Sequence, residues 1–220
     1  MDFVGIQRRL AVTGLVARGG FAAGVGEAFP MDARTVVLIG DLGGSFWPRF
    51  RAELRDEVDP LDAWTRRVLS AAARDLGAWA VYPFDGPPYH PFQHWAMRAE
   101  GLRQSPIGPL LHPEYGPWHS YRGALLFDDA IAGLPGPVQT AHPCDTCRAR
   151  PCLSACPVET FAGTGFDLSA CLGHLKVESG RACMDQGCRA RNACPVGLRR
   201  AYAPDHQAFL ARGFVASFGN

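Results

Sequence analysis

All eight cysteines of this 220-residue chain lie between Cys144 and Cys194, and none precedes them. Random usage would scatter them, so the chain has a cysteine-free front and a back whose fold depends on sulfur. The spacing runs Cys144-x2-Cys147-x4-Cys152-x3-Cys156-Pro157, then Cys171 alone, then Cys183-x4-Cys188-x5-Cys194-Pro195. Both dense groups end in Cys-Pro. In an oxidising compartment such a set forms disulfides, and in a reducing one it ligates metal.

The rest of the chain bears on which compartment applies. It contains no run of about eighteen apolar residues, so a membrane span is not expected. Arg8 and Arg9 ahead of Leu10 to Ala17 have the outline of a twin-arginine export signal. Against that, Arg18 cuts the apolar run and Gly19-Gly20 reads as a helix stop. A cytoplasmic chain with reduced thiols is therefore the expectation, and metal ligation follows from it. With 22 basic and 21 acidic residues the net charge is +1, which gives no field to attract nucleic acid or lipid. A hydrophobic fraction of 47% is enough for a sizeable core and excludes a disordered tail protein.

Two Cys-Pro endings behind close-set cysteines form the pattern of a two-cluster ferredoxin, where the thiolate before each proline crosses to the other cluster. Each 4Fe–4S cube takes four thiolates, so eight serve two. On that pattern Cys144, Cys147, Cys152 and Cys194 form one ligand set, and Cys156, Cys171, Cys183 and Cys188 the other. Two zinc sites would also use eight thiolates, and four disulfides would consume them all. Five arginines between residues 181 and 200 (Arg181, Arg189, Arg191, Arg199 and Arg200) either offset anionic clusters and dock an acidic electron donor or form a solvated helix face.

Periodicity gives the front an α/β order. Residues 3 to 18 read as a helix, Thr35 to Ile39 as a strand buried on both faces, and Phe46 to Val58 as a helix. A second helix runs from Leu61 to Leu76 and stops at Gly77, and Trp79 to Phe84 returns as a strand. Phe92 to Glu100 reads as a short helix. Leu110-Leu111 and Tyr121 to Phe127 look like two strands joined by the turn His112 to Trp118. The Gly- and Pro-rich stretch from Ile131 to His142 reads as a linker, which divides the chain into domains 1–138 and 139–220.

The stretch Ala99-Glu100-Gly101-Leu102 and the run Leu110 to Trp118, followed by this cysteine order with its lone Cys171, resemble epoxyqueuosine reductase, a cobalamin-dependent two-cluster enzyme. The pattern His112-Pro113-x-x-Gly116-x-Trp118-x-x-x-Arg122-Gly123, with Asp59-Pro60-x-Asp62 upstream, is also similar to CblC, the cobalamin-processing reductase. CblC lacks the clusters, and epoxyqueuosine reductase has a longer front half. The resemblance implies an α+β chain: a flavin-reductase or nitroreductase-like front domain that holds cobalamin, and a ferredoxin-like domain with two 4Fe–4S clusters that feeds it electrons. It implies Asp85 as a catalytic proton donor, the alternative being a turn-capping aspartate before Gly86. Arg122 would contact an anionic group of the substrate. His112, Tyr115, Trp118 and Tyr121 would border the corrinoid, or else serve as ordinary core and loop residues. The expected partners are an electron donor, such as a reduced flavoprotein or ferredoxin, and a small-molecule substrate. The rival expectation is a two-cluster electron carrier without corrinoid or catalysis of its own.

Overall fold

A computed structural model describes residues 1–24, 27, 29–137, 140–161 and 165–219. In chain order its elements are α1 (Phe3–Leu10), β1 (Val16–Ala22), β2 (Thr35–Leu42), α2 (Trp47–Ala52), α3 (Pro60–Leu76), β3 (Trp79–Val81), α4 (Phe92–Glu100), β4 (Arg103–Gln104), β5 (Leu110–Leu111), β6 (His119–Phe127), α5 (Pro143–Thr146), α6 (Pro151–Ser154), α7 (Leu168–Leu175), α8 (Arg181–Gln186), α9 (Arg189–Asn192) and α10 (Pro204–Phe218). The chain is a mixed α/β protein with two compact units. One comprises Met1–Leu102 with Ser120–Gln139, and the other Arg103–His119 with Thr140–Asn220. The segment Arg103–His119 thus belongs with the cysteines. The boundary expected at 138/139 lies outside the described residues.

In the first unit a four-stranded sheet has the order β1-β2-β6-β3. β1 runs antiparallel to β2, and β3 to β6. The β-branched stretch Thr35 to Ile39 lies in β2, which is interior to the sheet and buried along almost its whole length. α3 buries Leu61, Trp64, Leu69 and Ala72 on one face and ends at Gly77. Trp64 meets Phe46 and Phe50, each with ring centroids 5.6 Å away.

Two helices are shorter than their periodicity predicts. The first stops at Leu10, because Thr13 donates its hydroxyl to Leu10 O (2.6 Å) and takes the Leu15 amide (3.1 Å), turning the chain into β1. Gly19-Gly20 therefore lies within a strand and is not a helix stop. A Cβ on Gly20 would sit 2.6 Å from Val36 O, so the residue that reads as a breaker permits close strand approach. The second helix ends at Ala52, leaving Leu54 50% and Val58 87% exposed. Glu53 leaves the helix to accept the Trp64 indole N–H at 2.8 Å, a pairing that periodicity does not encode.

The second unit is built from the short helices α5 to α9, the 15-residue α10 and the two-stranded β4-β5 ribbon. Leu110-Leu111 pairs with Arg103–Gln104, not with the strand after the turn as expected, and β6 lies between β2 and β3. His112 and Gly116 close the turn on themselves through two backbone hydrogen bonds of 3.0 and 2.8 Å. Arg191 fixes that turn: its guanidinium lies 4.7 Å from the ring centres of both Trp118 and Tyr202, and its Nε donates to Pro117 O at 3.1 Å.

Candidate functional site

Proline sets where the sulfurs sit. Pro143 and Pro151 start α5 and α6, whose second residues are Cys144 and Cys152. Pro157 and Pro195 turn the chain away directly after Cys156 and Cys194. Cys171 and Cys183 lie on α7 and α8, and Cys188 immediately precedes α9. His142 anchors the first loop, taking the Cys144 amide on Nδ1 at 3.3 Å while Nε2 bonds Arg103 O at 3.2 Å.

All eight cysteines are free thiols. Their electrostatics divide them into two groups. Burial raises the Cys144 thiol above its ordinary pKa, and Cys194, Cys152 and Cys147 add to the rise. Burial pushes Cys171 up to about 11, with Cys188, Cys156 and Cys183 adding to it. These are the two groups that the spacing gives. A second cavity of about 320 Å³ is lined by Cys156, Cys171, Cys183 and Cys188, together with Phe161 and Phe214. The space framed by Cys144, Cys147, Cys152 and Cys194 is closed down to about 20 Å³.

Backbone amides are aimed at several of these sulfurs. Burial works to raise Cys156, but the Thr160 hydroxyl at 3.3 Å and the amides of Thr160, Val158 and Glu159 outweigh it and lower its pKa. Burial raises Cys194 and Cys183, opposed by the amides of Val196 and Arg189 respectively. A tetrahedral zinc site, with Zn–S of about 2.3 Å, needs its sulfurs within about 3.8 Å of one another. Among the described residues no three His, Cys, Asp or Glu side chains form a group that could hold a single metal ion.

The turn carrying His112 also supports the first group of sulfurs. Gly116 has φ 56°, and a Cβ there would sit 2.0 Å from Val196 O, next to the amide that faces Cys194. Gly116→Ala should therefore cost about 2–4 kcal/mol from left-handed backbone and overpacking. A fall in the urea midpoint at unchanged m-value would show it, and an unmoved midpoint would contradict the contact.

The remaining predicted site residues are divided between the units. In the second, His112 Nδ1 accepts the amides of Glu114 and Tyr115, both at 3.1 Å, and its ring meets Tyr115 edge-on at 5.1 Å. Trp118 is 0% exposed, edge-on to Tyr202 at 5.6 Å, and its indole N–H has no hydrogen-bond acceptor among the described residues. In the first unit Tyr121 donates to Glu100 at 2.8 Å, and burial raises its pKa. Arg122 pairs with Asp62 and Thr65. Asp85 pairs with Arg66 at 2.5 Å and accepts the Tyr82 amide at 3.2 Å.

The arginine group is not a single helix face. Arg181 pairs with Glu178 and Asp185, Arg200 with Glu114, and Arg191 is clamped between aromatic rings. The sequence reading also passed over a buried network. Arg18 donates to Glu100 at 2.8 Å and to Asp41 O at 3.0 Å, and lies 4.7 Å over the Tyr121 ring. Its one visible signal was a lone arginine interrupting an apolar run.

These elements define a mixed α/β fold with a small antiparallel sheet and a helical, cysteine-rich unit. That fold is similar to two solved structures. One is CblC, a B12-trafficking protein of C. elegans, with a TM-score of 0.55 and 16% identity over 98% of this chain and 94% of that one. The other is epoxyqueuosine reductase of Streptococcus thermophilus, with a TM-score of 0.52 and 15% identity over 98% of this chain and 75% of that one. The resemblance seen in the sequence thus extends to the fold. No protein-family model matches the sequence, and no curated protein matches it. Among the described residues no helix is long and apolar enough to cross a membrane.

Proposed function

We propose that the chain is an iron–sulfur reductase of the cytoplasm that carries two 4Fe–4S clusters and passes single electrons to a bound corrinoid, either to process it or to reduce a small-molecule substrate. The observation that carries this reading is the crossed grouping of sulfurs: Cys152 and Cys156, four residues apart, belong to different quartets, as do Cys188 and Cys194. Zinc sites have no need of that crossing. The donor set, four thiolates of which two in each quartet have amides directed at them, suits an iron–sulfur cube, which supplies one-electron transfer at low potential. The space within the first quartet is about that of one water, so its sulfurs would spread on loading.

In this reading the second unit is ferredoxin-like and the first nitroreductase-like. Short helices hold the sulfurs, Phe161 and Phe214 line the cavity of the second quartet, and Cys188, exposed, offers an edge to an electron donor such as a reduced flavoprotein or ferredoxin. Asp85, paired with Arg66, would be the catalytic acidic residue. The likeness to a B12-trafficking protein supports a corrinoid ligand.

A second reading, an electron carrier without corrinoid, is favoured by one observation: Trp118 is wholly buried against Tyr202, while Tyr121 and Arg122 are already paired. Anaerobic titration with cobalamin separates the two. Corrinoid binding should move its visible spectrum toward the base-off form at micromolar protein, and Arg122→Ala should weaken that shift. A spectrum that does not move overturns the corrinoid and leaves the carrier.

A further inference from the structure

Two exposed arginines of the second unit, Arg150 and Arg189, line the cavities of the sulfurs. Arg150 lines the cavity of Cys144, Cys147, Cys152 and Cys194, and Arg189 that of Cys156, Cys171, Cys183 and Cys188. Both are exposed. Neither has a carboxylate partner among the described residues, whereas Arg103, Arg181 and Arg200 each have one. Arg191 lines the second cavity too, but its guanidinium is held by Trp118, Tyr202 and Pro117. Among the described residues, the lining of each cavity thus includes one arginine without a carboxylate partner. Arg150 moreover holds φ 39°, a left-handed conformation that costs a residue with a side chain.

We infer that Arg150 and Arg189 are dedicated counter-charges, one for each quartet, and that each raises the reduction potential of the cluster on its own quartet. The inference rests on the two-cluster reading above. Four thiolates make an iron–sulfur group anionic, and reduction adds a further negative charge, so a nearby cation favours the reduced form. Because both arginines are solvated, the effect is screened and should shrink in high salt.

The test is an anaerobic redox titration of the reconstituted full chain, followed by electron paramagnetic resonance and by iron and sulfide content. Arg189→Gln should lower the reduced-to-oxidised ratio of one signal about threefold at fixed potential, about 28 mV at 59 mV per tenfold for one electron. The other signal should stay in place. Arg150→Gln should do the same to the second signal alone. Arg150→Gly removes the charge while relieving the left-handed backbone, so it should shift the potential equally and leave the melting temperature no lower. Full iron with unmoved potentials, or both signals moving together in each variant, would overturn the inference. A wild-type chain that takes up no iron or sulfide would instead overturn the cluster reading, and this inference with it.

Discussion

Changing Cys152 and Cys156 together to alanine should strip the chain of nearly all iron and acid-labile sulfide, whereas changing Cys152 and Cys194 together should leave about half. The first pair is close in sequence and the second is 42 positions apart (194 − 152), so any account based on local sequence predicts the reverse. The spatial grouping decides it. Cys194 adds to the charge felt by Cys144 together with Cys147 and Cys152, and Cys156 adds to that felt by Cys171 together with Cys183 and Cys188. Losing two ligands of one quartet leaves the other intact, and losing one ligand of each weakens both. Equal iron in the two variants would contradict the crossed arrangement.

The largest loss of stability should come from the first unit, at Arg18. Its side chain is 1% exposed and that of its partner Glu100 is 9% exposed, at 2.8 Å. Arg18→Met leaves the Glu100 carboxylate buried with only the Tyr121 hydroxyl for company, and should cost about 3–5 kcal/mol. Arg18→Met combined with Glu100→Gln should recover much of that loss, because the uncompensated charge is then gone. Removing Arg181, whose partners Glu178 and Asp185 are well exposed, should change little. Urea unfolding of the four proteins measures all of this, and a cost for Arg18→Met as small as that for Arg181 would refute the network.

What the sequence made legible follows from where information is local. The long amphipathic α3, its stop at Gly77 and the apolar β2 carry their signals within a single window of residues, and each appears where periodicity puts it. The proposed cysteine quartets rest on another kind of signal: Cys-Pro marks the points where the chain would leave one group and cross to the next. The misreadings are places where a distant partner decides. Val16 to Arg18 read as the end of a helix until Arg18 is seen in a strand and paired with Glu100, and Leu54 and Val58 fit a helix until Glu53 turns to Trp64. Arg103–His119 precedes the linker, yet its place is set by Arg191 and His142, which follow it by many residues. The roles foreseen for Trp118 and Arg122 came from likeness to other families, and each side chain here has a partner of its own.

The central claim is that the two sulfur quartets hold two 4Fe–4S clusters. It is tested most directly by counting iron, acid-labile sulfide and zinc in the full chain purified or reconstituted without oxygen. The account predicts about eight iron and eight sulfide per chain, with negligible zinc. Zinc without sulfide, at about two per chain, would contradict it and make the second unit a zinc-stabilised module.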